Sequence, residues 1–181
     1  MNIPLWSGKC AKGKSEKIRA FVLEARNAKI ALHDEAATRS QANGAAFEQR
    51  NDGSVHFRYE HADWVYTETS FGDIPCAGMV TVTCRGIVRW VATYSGEYKG
   101  NSLHKEAVAD FLELALAKTD VAMPIRGPKH FTTVDYLDLE GYYYANSWNG
   151  KFPNVRGRET VSRYGKRIAR INYASTYVNV R

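Results

Sequence analysis

Residues 79–94, MVTVTCRGIVRWVATY, and residues 158–173, RETVSRYGKRIARINY, are sixteen-residue stretches of one form: an alternating run, a glycine at the eighth position, and a second run ending in tyrosine. Side chains that alternate apolar and polar over six to eight residues belong to half-buried strands, and glycine between two such runs marks a tight hairpin. Arg85-Gly86-Ile87 and Tyr164-Gly165-Lys166 therefore read as hairpin turns in which glycine supplies the positive φ. Working outward, Trp64-Val65-Tyr66 aligns with Tyr142-Tyr143-Tyr144, Gly72 with Gly150, Pro75 with Pro153 and Gly78 with Gly157. A helical spacing precedes each block, Ile18, Phe21, Val22 and Ala25 in the first and Val108, Phe111, Leu112 and Ala115 in the second.

The expected architecture is α+β: one domain over 1–181 containing a tandem pseudo-symmetric repeat, 15–100 and 103–177, each copy one helix followed by about four antiparallel strands. Helices are expected at Ser15–Ala31 and Leu103–Thr119, with Ser15 and Ser102 as N-caps. Strands are expected at Val55–Glu60, Trp64–Phe71, Met79–Cys84 and Val88–Tyr94, then Val134–Leu139, Tyr142–Trp148, Arg158–Arg163 and Arg167–Tyr173. The passage His33–Gly53 reads as a mobile loop or short extra helix.

Twenty-five Lys and Arg against nineteen Asp and Glu leave a net charge of +6. Residues 1–120 hold 15 cations and 15 anions, whereas 121–181 hold 10 and 4, so the whole excess lies in the last third. That asymmetry points to an anionic partner for the C-terminal copy. No run approaches the roughly 18 apolar residues of a membrane helix, and Met1–Lys14 lacks an apolar signal core, so the expectation is a cytoplasmic protein without a membrane partner. Cys10, Cys76 and Cys84 lack metal or redox spacing and are expected as buried thiols. The histidines lack the spacing of a metal site; His56 and His61, with Glu60 and Asp63, read as an exposed polar hairpin. No phosphate-loop, dinucleotide or nucleophile-elbow motif is present, and neither a cofactor nor a metal is expected. Arg126-Gly127-Pro128-Lys129-His130 reads as a stiff polar linker, with an anion-receiving loop as the alternative.

The helix motif Phe21-Val22-x-x-Ala25, the strand motif Trp64-x-Tyr66, and Gly86, Trp90, Tyr94 and Gly96 recur as Phe111-Leu112-x-x-Ala115, Tyr142-x-Tyr144, Gly157-x-Glu159, Gly165 and Tyr173. In this the chain resembles an uncharacterised bacterial family of domains, some fused behind helix-turn-helix segments. Departures are Val80 for the glutamate of the first copy, and Ala169 and Ser175 for the tryptophan and last glycine of the second. The resemblance implies a fold and a sensing or binding character, and no reaction.

Two functions follow. In the first, Arg156, Arg158, Arg163, Lys166, Arg167 and Arg170, interleaved with aromatic rings, make a non-catalytic binding surface for nucleic acid or a protein partner. Strict alternation splits Arg167 from Arg170 onto opposite faces. In the second, a cleft between the copies, lined by Trp64, Trp90, Tyr94, Tyr143, Trp148 and Tyr173, serves a small-molecule enzyme or ligand sensor. Glu159 is then its acid or base, and Arg158 or Arg163 its anion holder. The oligomeric state is not legible.

Overall fold

Both apolar helix stripes and seven of the eight expected strands find a place in a computed structural model, which describes residues 15–34, 44–72, 74, 76–101, 104–119, 123–133 and 139–179. The elements run α1 (Ser15–Asp34), β1 (Ala45–Gln49), β2 (Ser54–His61), β3 (Trp64–Phe71), β4 (Ala77–Cys84), β5 (Ile87–Tyr98), α2 (Lys105–Ala117), β6 (His130–Thr132), β7 (Tyr142–Lys151), β8 (Asn154–Arg163) and β9 (Lys166–Tyr177). All nine strands join one antiparallel sheet in the order β1-β2-β3-β4-β5-β9-β8-β7-β6.

This overturns the expected tandem repeat of a helix and four strands. β5 and β9 each run twelve residues, beyond Tyr94 and Tyr173 where alternation was read to stop. Their free edges pair from Trp90↔Tyr177 to Tyr98↔Ala169. An unpaired strand edge is a row of open donors and acceptors, and here each satisfies the other, so one continuous sheet forms in place of two helix-plus-strand units. Strand content differs too: β1 adds a strand inside His33–Gly53, and β6 is three residues at His130–Thr132. Of the expected strand Val134–Leu139 only Leu139 is described, as a buried residue outside any strand. The expected cap Ser102 lies outside the described residues, and the N-cap of α2 is His104.

Both helices lie on the same face. Ile18, Phe21, Val22 and Ala25 of α1 are buried against Phe57, Tyr59, Trp64, Tyr66, Val82 and Trp90, while Val108, Phe111, Leu112 and Ala115 of α2 are buried with Tyr142, Tyr144, Val161, Ala169 and Ile171. Tyr173 belongs to the first cluster and Tyr94 touches both, so the two cores are continuous across the β5–β9 ladder. Among the described residues no element covers the opposite face, and no helix is long and apolar enough to cross a membrane. Cys76 is half-buried; Cys84 is fully buried and disulfide-bonded, which corrects the expectation of a thiol there. Cys10 lies outside the described residues.

The hairpin turns are as read. Arg85-Gly86 and Tyr164-Gly165 each place two residues at positive φ (53° and 73°, 47° and 78°), the twist-matched two-residue turn. Gly78 and Gly157 have a different reason to be glycine. In the row Gly78↔Tyr94↔Tyr173↔Gly157 each tyrosine ring lies flat across the neighbouring glycine to reach one strand further. A Cβ at Gly78 would sit 2.3 Å from the Tyr94 ring, and one at Gly157 2.2 Å from that of Tyr173. Gly78→Ala and Gly157→Ala are each expected to cost about 1–3 kcal/mol, the range for overpacking a core, read as a lowered denaturation midpoint.

Candidate functional site

Two groupings of polar residues distinguish this sheet, one buried beneath the helices and one on the open face. The buried grouping starts from strand parity. Glu68 follows Trp64 and Tyr66 on the inward side of β3, and Glu159 shares the inward side of β8 with Val155 and Val161, so both carboxylates are driven into the core by their neighbours. A buried carboxylate survives only with donors around it.

Glu68 accepts from Lys29 Nζ (2.9 Å), Tyr66 (3.1 Å) and Tyr94 (2.9 Å). Burial works to raise its pKa, but Lys29, the Tyr94 hydroxyl and Arg26 outweigh burial and hold it at about 2. Glu159, wholly buried, accepts from Arg126 Nε (2.7 Å) and Nη2 (2.5 Å), from the Tyr144 hydroxyl and from the Gly127 N–H (3.4 Å). Burial opposes the charge on Arg126, yet Glu159 more than compensates and its pKa is raised. The Arg126 guanidinium lies 4.9 Å over the Tyr94 ring, so the two carboxylate clusters touch. Burial keeps the surrounding phenols neutral and donating: Tyr66, Tyr94 and Tyr144 are all raised, and Tyr173 is pushed up to about 12. Tyr173 donates to Asn146 Oδ1 (2.9 Å), whose Nδ2 donates to the Gly127 carbonyl (2.9 Å).

The segment Met123–Gly127 is buried, so of the expected polar linker Arg126–His130 the first two residues belong to the core, while Lys129 and His130 are exposed. Arg26 of α1 donates to the carbonyls of Pro124 (3.1 Å), Ile125 and Leu116 (3.3 Å), so helix, crossover and sheet are tied by three side chains, Arg26, Arg126 and Glu159. Sequence reasoning picked out Glu159 but missed Glu68, Arg26 and Arg126 as its companions. Strand parity alone marks Glu68.

The rings expected to line one cleft are dispersed. Trp64 packs 5.8 Å from Phe21, Trp90 packs 5.7 Å from Phe152 and donates to the Pro153 carbonyl (3.0 Å), and Trp148 lies under Lys129 at 5.6 Å. Tyr94 and Tyr173 are cross-strand partners, and the junction between the halves is a hydrogen-bonded ladder. Tyr143 points to the open face, its hydroxyl 2.6 Å from His130 Nδ1. His56 and His61 separate, the first bonded to Ser54 (3.0 Å) and Thr69 (3.1 Å), the second to Glu24 of α1 (2.7 Å).

On the open face the structure gathers four of the six expected cations. A β-bulge at Val161/Ser162 pairs Arg167 with the outward Ser162, although Ala169 pairs with the inward Val161. The extra residue, Ile168, carries Arg167 to the side that already holds Arg170, which corrects the alternation that had split them. Successive rows across the face are Tyr143–Ser162–Arg167, Ala145–Thr160–Arg170–Glu97, Ser147–Arg158–Asn172–Ser95 and Asn149–Arg156–Ala174–Thr93. Alternate residues on a strand are ~7 Å apart and strands ~5 Å apart, so the four guanidinium groups share one patch. Glu97, 2.8 Å from Arg170, is the acid within these rows. Arg163 and Lys166 sit instead at the hairpin end, paired on the helix side of the sheet.

Two measurements test the buried grouping. Glu159→Gln leaves Arg126 charged in the core and is expected to cost about 3–5 kcal/mol in chemical denaturation, with much of it regained when Arg126→Met is added. The folded-state pKa of Glu68 lies below its ordinary value of 4.5, so its contribution is complete above about pH 4.5 and is lost as pH falls towards 2. That contribution is on the order of 3 kcal/mol, and a Glu68→Gln protein is expected to show a flatter stability profile across this acid window.

No curated protein and no solved structure matches the chain. A family model described as a domain of unknown function (DUF5680) matches residues 68–178, from Glu68 through β9, a span that holds Arg126, Glu159 and all four open-face arginines. On that match, the chain belongs to the DUF5680 family.

Proposed function

We propose that this protein is a non-catalytic binding protein whose open sheet face takes single-stranded nucleic acid along β7–β9. The observation that carries this reading is the bulge-assisted convergence of Arg156, Arg158, Arg167 and Arg170 on one uncovered face. Guanidinium groups neutralise phosphates and release condensed counterions, while Ser147, Asn149, Thr160 and Asn172 between them supply further hydrogen bonds to a sugar–phosphate chain. Tyr143, 41% exposed at the end of the patch, offers a ring for one unstacked base. The exposed apolar residues Phe71 and Met79 lie on the N-terminal half of the open face, away from this patch, whose large exposed ring is that of Tyr143.

In this reading the buried pair Arg126–Glu159 is a support. It fixes the crossover on the helix side of the sheet, and Glu159 serves no proton transfer.

Fluorescence anisotropy with a labelled single-stranded oligonucleotide checks the reading. Affinity is expected to fall steeply between about 50 and 200 mM salt, with a log–log slope near −3 for four contacts at ~0.7 each. Arg156→Glu with Arg158→Glu is expected to weaken binding at least about tenfold and to remove roughly 1.4 from the slope. Binding that is absent, insensitive to salt or indifferent to the reversal overturns it.

A further inference from the structure

A polymer laid across the open face and one laid along it meet different chemistry. Crossing from β7 to β5, a row offers one arginine and then either Glu97 or neutral groups, as in Ala145–Thr160–Arg170–Glu97 and Asn149–Arg156–Ala174–Thr93. Along the strands every row supplies one guanidinium: Arg167 opposite Ser162, Arg170 opposite Thr160, then Arg158, then Arg156. The bulge makes this series regular. Arg167 and Arg170 are three positions apart on β9, yet their partners on β8 are two apart, so they fall in successive rows of one face.

A fifth cation extends the series. Lys151, exposed at the end of β7, pairs with Asn154, which stands two residues before Arg156 on β8. Asn154 lies on the open face: its Oδ1 accepts from the Thr176 hydroxyl (3.1 Å), and Thr176 alternates with Ala174 and Asn172 on that side of β9. Cross-strand partners share a face, so Lys151 lies there too. Arg167, Arg170, Arg158, Arg156 and Lys151 thus occupy five successive rows while drifting from β9 through β8 to β7. Alternate residues on a strand are ~7 Å apart, so the series is about 28 Å long. Glu97, 2.8 Å from Arg170, stands on its β5 side and repels a phosphate chain that strays in that direction.

That spacing suits an unstacked nucleic-acid strand. In a duplex each strand advances ~3.4 Å of axis per phosphate, and a strand freed of stacking extends to roughly twice that, which is the spacing of the rows. A duplex offers such a face only a short arc, because its phosphates wind away around the axis. At the Arg167 end, Tyr143 stands in the same row, two strands or about 10 Å away. Its exposed ring is oriented by His130, stacked against it at 5.8 Å and 27° with Nδ1 2.6 Å from the hydroxyl. We propose that the open face is a track of one phosphate per row: it holds five successive phosphates of an unstacked strand running along β8, with Lys151 as the fifth contact and the base at the Arg167 end stacked on Tyr143. The track rests on the nucleic-acid reading above and gives it a direction, a length and one stacked base.

The test is a series of labelled oligothymidylates, from about two to about ten nucleotides, titrated by fluorescence anisotropy at several salt concentrations, with a melting curve of each variant to show that it is folded. Affinity is expected to rise with each nucleotide up to about six, which carry five phosphates, and beyond that only through the greater number of ways to place the track on a longer strand. The log–log salt slope should grow by ~0.7 per phosphate and level off near −3.5, where the four arginines alone give near −3. Lys151→Gln should return the plateau to near −3 and bring the break in affinity about one nucleotide shorter. Tyr143→Ala should weaken the six-nucleotide strand about tenfold and leave the slope unchanged, the loss of one stacked base. An absence of salt-sensitive binding at every length removes the nucleic-acid reading and the track with it. Salt-sensitive binding whose slope keeps growing to the longest strand, a slope indifferent to Lys151→Gln, or an affinity indifferent to Tyr143→Ala leaves that reading standing and overturns the track.

Discussion

The ion pair between Arg126 and Glu159 is the constraint around which the inner face is arranged. A carboxylate at 0% exposure is untenable alone, and the donors that make it tenable come from the crossover (Arg126, Gly127) and from β7 (Tyr144). Satisfying Glu159 therefore fixes where the segment after α2 must lie. Arg26 reaches the same segment from α1, so neither helix can shift on the sheet without uncovering a charge. Replacing such a pair by hydrocarbon often costs nothing in stability, which is why its value here is read as positional: it admits one placement of the crossover.

Hydrophobic pattern made much of the fold legible. Helix stripes, hairpin turns and seven of the eight expected strands lie close to where alternation and glycine put them. Pattern could not say what the strand edges would do. Matching rings and glycines at 64–94 and 142–173 suggested self-contained copies, but edge pairing of β5 with β9 depends on backbone groups that every residue carries and no side chain advertises. The three-residue β6 and the short β1 escaped for the opposite reason, being too brief to show a period.

The candidate site was legible in composition and not in placement. The cationic excess after residue 120 is plain, yet assigning faces by strict period two failed at Arg167, because the bulged residue Ile168 moves Arg167 off the face that Ala169, Ile171 and Tyr173 share. The rings were mistaken in the other direction. Trp64, Trp90 and Tyr173 are all at or below 6% exposure, held by the core that aromatic residues usually fill, and only Tyr143 among the six faces outward with the arginines. Glu159 stands out in the sequence through the Gly157-x-Glu159 motif, but two of the groups that satisfy it, Gly127 and Arg126, lie 32 and 33 residues away in a segment that reads as a loop.

The strand order carries an implication for how the molecule reaches its native state. β5 and β9 meet at the middle of the sheet, yet α2 and β6–β8 intervene along the chain. Neighbouring hairpins can close early and locally, whereas the central ladder must wait for the most distant partner, a contact of high sequence separation. Until it closes, the first half presents a long bare strand that invites pairing with another copy. The most vulnerable moment is thus midway through synthesis, when β5 exists and β9 does not.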